Sequence, residues 1–274
     1  MPVRSLSDKV ATLNDVPSLV TADSLIGIGG VLLRRKPMSL LKSLFRVERN
    51  PIRAITFLGG FEVEWLAAHG RIAELTSGYV GLESYGGTPA WNDSLNAGSV
   101  VMHELSELMF VTGLRASASG VSFLPSRGAA GSDLAITASL REIECPYTKE
   151  KLWAIPALRP DVSLIHAERA DRFGNVDAPG IRDFLWDSDL TLARASQMTI
   201  VGVEHIVDTD ELTAPVLFAH EIDHVIEVRG GAAPTELPGQ YLAQRKRILQ
   251  YLSLVKDGHP CHSAMIESFA EMDA

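Results

Sequence analysis

Residues 24–58 read SLIGIGGVLLRRKPMSLLKSLFRVERNPIRAITFL, and their pattern sets the fold class. Residues 24–28 are a short apolar run that ends in the glycines Gly29 and Gly30. Residues 38–46 repeat leucines at helical spacing, with Pro37 acceptable in a first turn. Residues 52–58 form a second short apolar run, followed by two more glycines. Strand, helix and strand in immediate succession make a βαβ unit, and such units build parallel sheets.

The alternation continues outward. Residues 62–69 predict a short helix, 72–80 and 100–104 strands, 106–119 a helix and 121–125 a strand. Further strands are predicted at 151–156, 162–167, 198–203 and 215–219, and a helix with a basic face at 241–255. The expectation is an α/β fold: an open, mostly parallel sheet flanked by helices. It forms one domain over 1–274, with a helical C-terminal extension from about 240. The Pro/Gly-rich stretches at 125–132 and 229–239 read as functional loops rather than linkers.

Composition narrows the class. A chain of 274 residues, 46% hydrophobic and 22% charged, has the make-up of a folded protein with a sizeable core. Its 25 Lys and Arg against 34 Asp and Glu give a net charge of −9, which repels polyanions at long range and argues against nucleic-acid binding. The longest apolar stretch, 25–33, is far short of the ~20 residues of a membrane span. Charges at Arg4, Asp8, Lys9 and Asp15 leave no apolar run for a signal peptide. Two distant cysteines, Cys145 and Cys261, make no disulfide framework and fit a reducing compartment. A cytoplasmic protein is expected.

Three motifs invite chemistry and fail on context. His220, Glu221 and His224 match H-E-x-x-H, the zinc-peptidase pattern. The β-branched flanks read as strand–turn–strand, where positions four apart lie about 13 Å from each other and share no metal. His259, Cys261 and His262 are too tightly spaced for a zinc knuckle and read as a polar loop. The Gly27–Gly30 turn has Leu32 where a dinucleotide fingerprint has its third glycine. No metal site is expected.

What survives is a set of loops. Gly29 and Gly30 precede Arg34, Arg35 and Lys36 and then a helix; backbone N–H groups and three cations suit an anionic ligand, though a solvated basic turn fits equally. Residues 123–133 run from a strand into small residues, with Ser126, Arg127, Gly131 and Ser132 able to hold a substrate or an oxyanion. An ordinary surface turn is the alternative. Residues 157–176 read ALRPDVSLIHAERADRFGNV.

Together these stretches resemble the α-subunit of the family I coenzyme A transferases. The nearest branch is the glutaconate CoA-transferase type, whose relatives include the α-subunit of an actinobacterial steroid ring-opening hydrolase. The resemblance rests on GIGG with RRKPM, FLPSR…GSD, the 157–176 stretch, and VRGGAAP, in order from about Leu25 to Tyr241. It implies the CoA-transferase fold and a β-subunit partner, with coenzyme A as co-substrate and no permanently bound cofactor. It also implies an acyl-CoA and a carboxylic acid as substrates, and a nucleophilic glutamate on the partner. The one candidate context here, Gly81-Leu82-Glu83-Ser84, lacks the β-type surroundings.

Two departures bear on mechanism. The family's GGAHP is Gly230-Gly231-Ala232-Ala233-Pro234, without the histidine. Glu104, in His103-Glu104-Leu105-Ser106-Glu107, stands where the hydrolase relatives carry a glutamate and is the candidate acid/base or substrate-orienting group. Helix capping or an ion pair would explain Glu104 as well, because Ser106 and Glu107 read as a helix start. The rival functions are a zinc peptidase, a ring-opening hydrolase of CoA esters built from the same kind of chain, and a catalytically silent binding subunit.

Overall fold

The computed structural model describes residues 7–178 and 185–269; Arg4 lies outside them. The strands are β1 (Val10–Ala11), β2 (Leu25–Val31), β3 (Ile52–Gly59), β4 (Ile72–Ser77), β5 (Tyr79–Val80), β6 (Val101–Glu104), β7 (Phe123–Ser126), β8 (Arg141–Glu144), β9 (Lys151–Pro156), β10 (Val162–Ala170), β11 (Val176–Asp177), β12 (Met198–Ile206), β13 (Pro215–Leu217) and β14 (His224–Glu227). The helices are α1 (Val16–Leu19), α2 (Met38–Ser43), α3 (Phe61–Ala68), α4 (Pro89–Asn96), α5 (Glu107–Ala118), α6 (Leu134–Thr137), α7 (Trp186–Ala195), α8 (Arg245–Lys256) and α9 (Cys261–Phe269).

The main sheet runs β1-β14-β12-β10-β2-β3-β4-β6, and every neighbouring pair on that path is parallel. Its central strands β2, β3 and β10 are buried on both faces, as a parallel sheet requires, because βαβ crossovers lay helices on each side. One face packs Ile26, Ile28, Leu164, Ile200 and Ile226 under α2, α3, α8 and α9. The other packs Ile55, Phe57, Ile165, Val201 and Val203 under α5 and α7. The chain winds from β2 towards β6, then returns to build β10, β12 and β14 on the opposite side. The order therefore reverses between β2 and β10, and ligands of open α/β sheets bind outside the carboxyl ends of the strands at that point.

The open parallel sheet expected from the sequence is present. The strands predicted at 121–125 and 151–156 form, but in a separate antiparallel sheet ordered β7-β9-β8. That sheet packs on α5 through Met109, Ala129, Ala135 and Ile155. The helix predicted from 241 begins at Arg245, because Leu237 and Tyr241 close a turn and Gln244 N–H donates to Pro234 O. The polar loop expected around Cys261 is instead the start of α9, which buries Ala264, Met265 and Phe269; Phe269 lies 4.9 Å from the Phe61 ring.

Two buried acids of α3 tie this architecture together. Glu62 and Glu64 are two residues apart and so leave the helix in different directions. Glu64 accepts N–H bonds from Ala90 at 2.9 Å and Trp91 at 3.1 Å at the start of α4, and a hydrogen bond from the Tyr251 hydroxyl of α8. Burial pushes its carboxyl above the ordinary range, against the pull of those donors. Tyr251→Phe removes one donor from the buried carboxyl and is expected to cost about 1–2 kcal/mol in urea unfolding. An unchanged midpoint would show that the bond carries no net stability. No helix among the described residues is long and apolar enough to cross a membrane.

Candidate functional site

At the reversal point β2 ends on the Gly-Gly turn. Gly30 has φ +72°, and a Cβ there would sit 2.4 Å from Arg34 O, so only glycine fits. Val31 and Arg34 exchange backbone hydrogen bonds at 2.9 and 2.8 Å, which closes the turn and aims the next two side chains inward.

The outcome differs from the solvent-facing cation trio the sequence offers. Lys36 is fully buried: its Nζ lies 2.6 Å from Glu62 Oε1 and donates to Gly30 O, Thr56 Oγ1 and Leu58 O at 3.0–3.1 Å. Burial pushes the Lys36 ammonium down from its usual value, and Glu62 pulls it back. Arg35 Nε lies 3.2 Å from Asp189 Oδ2, and its guanidinium covers the Trp186 ring at 4.6 Å. Asp189 Oδ1 accepts the Gly30 N–H at 2.8 Å, so this chain's own carboxylate takes the backbone donor beside the turn. The gap there, lined by Gly29, Gly30, Phe57, Phe110 and Asp189, measures only ≈ 10 Å³, no more than a single water needs. Arg35 and Lys36, expected as anion contacts, are engaged in internal ion pairs, and Gly29 and Gly30 face packed protein. Arg34 stays partly exposed, held by Glu83 at 2.6 Å and Glu236 at 2.9 Å.

A second cluster forms at the other end of the carboxyl edge. Glu104 is the last residue of β6, exposed, in register opposite Ser77. Its carboxylate forms no hydrogen bond or ion pair among the described residues. The helix cap belongs to Ser106, whose Oγ accepts from Met109 N at 3.2 Å, so neither capping nor an ion pair occupies Glu104. His103 is exposed and 3.4 Å from Glu74.

The 126–132 loop is docked against this segment. Ser106 Oγ donates to Gly128 O at 3.3 Å, and Gly128 N–H donates to the buried Ser126 Oγ at 3.0 Å. Arg127 is exposed and grips Glu150 with two nitrogens, one at 2.6 Å. Gly131 (φ +77°) faces open space, and the exposed Ser132 donates to Ala129 O at 3.2 Å. The structure thus docks the 126–132 loop, through Gly128, on Ser106, two residues beyond Glu104. Gly30 lies three strand spacings away, about 14 Å.

The sequence reading missed a buried set under residues 229–241. His166 Nε2 is 2.7 Å from Glu204 Oε1; Glu204 also accepts from Tyr241 OH at 2.8 Å and from Gly230 N–H at 2.7 Å. His166 and Glu204 are the ionisable residues at buried positions of the mostly apolar β10 and β12, and that was the available signal. Burial pushes the Glu204 carboxyl up, but the bonds from His166, Gly230 and Tyr241 prevail and hold it below the usual range. A carboxyl with a depressed folded pKa stabilises above its unfolded value, about 4.3, and loses that contribution as pH falls through the folded one. Acidification below about pH 4.3 is therefore expected to release the loop, read as faster hydrogen exchange of the Gly230 amide. Glu204→Gln is expected to abolish that acid response; a response retained in the variant would place it elsewhere.

His220 lies in a turn and His224 begins β14, while Glu221 pairs with Arg194 at 2.5 Å and accepts from Phe218 N at 2.8 Å. No group of three metal-ligating side chains occurs among the described residues.

A doubly wound sheet with an exposed carboxylate and a small-residue loop on its carboxyl rim defines an open α/β protein with a surface site. Residues 11–222 match the family model described as Coenzyme A transferase, and the chain belongs to that family. It is 33% identical over 242 residues to the cholesterol ring-cleaving hydrolase IpdA subunit of Rhodococcus jostii, covering 83% of this chain and 80% of that one. It is 32% identical over 213 residues to a 3-oxoadipate CoA-transferase subunit of Pseudomonas knackmussii, covering 75% and 73%. The glutaconate coenzyme A-transferase structure from Acidaminococcus fermentans has the same fold, with TM-score 0.82, 21% identity and coverage of 97% and 94%.

Proposed function

We propose that this chain, read as one α/β domain with a helical extension from about 240, is the α-subunit of a heteromeric CoA-transferase. It would pair with a β-subunit of the same family in the cytoplasm. The partner's glutamate attacks an acyl-CoA thioester and expels CoA thiolate, leaving a mixed anhydride. The thiolate then attacks the glutamyl carbonyl and releases the acid, giving a glutamyl-CoA thioester from which a second carboxylate collects the CoA. The observation that carries this reading is the half-site: Glu104 and the exposed residues of the 126–132 loop, which docks on Ser106, face solvent beside the end of β6, where a second chain can close over them. In that closed site, Ser126, Arg127, Gly131 and Ser132 shape the acyl region, Gly29 and Gly30 support it from β2, and Glu104 orients substrate. Free Cys145 and Cys261 fit the reducing compartment.

Co-expression with the product of the neighbouring gene tests the proposal. A stable complex that exchanges CoA between an acyl-CoA and free acids is expected; two chains that never associate and show no CoA-dependent activity would end it.

A second reading is favoured by one observation. Glu104 is exposed and unengaged, as a general base for water requires, and the Rhodococcus jostii relative is a ring-cleaving hydrolase subunit. In this reading the complex hydrolyses a C–C bond in a CoA ester. Borohydride trapping separates the two: a glutamyl-CoA adduct on the partner supports transfer and eliminates hydrolysis.

A further inference from the structure

The register of the β7-β9-β8 sheet assigns each of its side chains to one face. Residues opposite one another across an antiparallel pair share a face, and neighbours along a strand alternate. Ile155 packs with Met109 of α5, and Trp153 packs against the same cluster. The other face therefore carries Phe123 opposite Pro156, the row Pro125, Ala154 and Arg141, and Ile143 opposite Leu152. Six of these seven residues are apolar, whereas an antiparallel sheet with one wet face turns polar residues outward. Phe123 is 44% exposed; Pro125, Arg141 and Pro156 are exposed, and the other three are half-buried.

Both edges of this sheet are blunted against strand addition. Pro125 removes a donor from β7. Pairing β8 antiparallel with a second β8, apolar face continuous with apolar face, sets glutamate against glutamate at 142 and 144. The face itself has no such protection. Arg141 forms no ion pair among the described residues, and apolar surface with an unpaired arginine is the composition of an interface core. What covers it brings a carboxylate. A second copy of this chain, docked face to face, has none to offer, because the outward positions hold no acid and their single charge is another Arg141. Area gives the extent of the partner. Three strands of four to six residues span roughly 250 Å², against about 800 Å² per partner in a standard interface. A stable partner therefore continues past the sheet. The adjoining turn at 145–150 carries Tyr147, 93% exposed, and Glu150 fastens that turn to Arg127 of the 126–132 loop at 2.6 Å.

We infer that the outward face of the β7-β9-β8 sheet is where the β-subunit docks, setting a carboxylate on Arg141 and apolar side chains on Phe123, Ile143 and Leu152. The inference rests on the α-subunit reading above and adds the surface through which the pair forms. The docked chain continues over Tyr147 towards the 126–132 loop.

Sedimentation velocity of this chain mixed with the product of the neighbouring gene tests it. Arg141→Glu and Phe123→Glu are each expected to weaken association about thirtyfold or more. Both side chains are exposed, so urea midpoints should match the wild type; Arg141→Glu carries the test should Phe123→Glu fold poorly. Leu249→Glu, at a 42%-exposed leucine of α8, is expected to leave the Kd unchanged. In hydroxyl-radical footprinting of the wild-type complex, Phe123 and Tyr147 should be protected and Leu249 should not. A complex that forms equally well with both face variants overturns the inference and leaves the α-subunit reading intact, as does an equal loss in Leu249→Glu. A dimer of this chain alone that Phe123→Glu dissociates gives the face to a second copy and overturns it too. A wild-type chain that never associates with the gene product overturns both.

Discussion

Lys36→Met is expected to lower the unfolding free energy by about 3–5 kcal/mol, a large share of the about 5–15 kcal/mol that holds a whole domain. The substitution keeps most of the side-chain volume and removes only the charge. It strands Glu62, fully buried and 2.6 Å from the missing ammonium, with the Thr56 hydroxyl at 3.3 Å and Gly60 N–H at 3.0 Å as its remaining donors. It also leaves Gly30 O and Leu58 O without the donor that joins β2 to β3 at the turn. A buried charge without its partner costs far more than the pair contributes when intact, because desolvation remains and attraction is gone. Lys36→Met/Glu62→Leu is therefore expected to recover most of the loss. The recovery stops short of complete, because Gly30 O loses its Lys36 donor at a cost of about 1 kcal/mol, whereas Leu58 O keeps the Leu32 N–H at 3.0 Å. Urea midpoints of the two single variants and the double variant close the cycle. A loss below about 1 kcal/mol for Lys36→Met would show that Glu62 sheds its charge or gains water without difficulty.

The same ion pair explains what the sequence could and could not disclose. Strands β2, β3, β10 and β12 are near-continuous apolar runs, and α5 carries its own start signal at Ser106; local residues suffice to read them. The H-E-x-x-H motif is also decided locally, by β-branched flanks. Arg34, Arg35 and Lys36 are not, because their partners are scattered along the chain; Asp189 is 154 residues from Arg35. Charge is visible in a sequence, and the acid that neutralises it is not. Helix α7 escapes for a related reason. Its buried face includes Ser188 and Asp189, so the apolar period that announces a helix is broken where the helix serves the turn. Helix α4 buries only Ala90 and Trp91, too little for a stripe. The β7-β9-β8 sheet shows a further limit: alternation identifies a strand but not the sheet it joins.

The candidate site divides along the same line. Ser126, Gly131 and Ser132 stand out because small residues in a loop are a local signal, and Glu104 because it ends a strand. His166 and Glu204 can be noticed only as polar interruptions; what they hold, the Gly230 amide and Tyr241, requires the fold. Candidates in a loop or at a strand end are legible in the sequence, whereas the residues that hold a loop from beneath are not.

Glu104→Gln is expected to reduce ring-opening hydrolysis by about 10²–10⁴-fold, if hydrolysis is the activity of the assembled complex. The amide has the shape of the acid but cannot accept the proton of an attacking water. The residue is exposed and unpaired, so the variant should fold with an unchanged midpoint, and any loss belongs to chemistry. CoA transfer predicts a different result, because its nucleophile sits on the partner. The glutamyl-CoA adduct should still form in the Glu104→Gln complex, and the loss should fall on KM for the acceptor acid more than on kcat, as expected of an orienting group. Single-turnover mixing with an acyl-CoA, followed by mass spectrometry of the partner chain, reads the two outcomes at once. Full activity on every substrate would remove Glu104 from the chemistry and leave this chain a binding subunit. The exposed carboxylate at the end of β6 is thus the residue at which transfer, hydrolysis and passive binding make incompatible predictions.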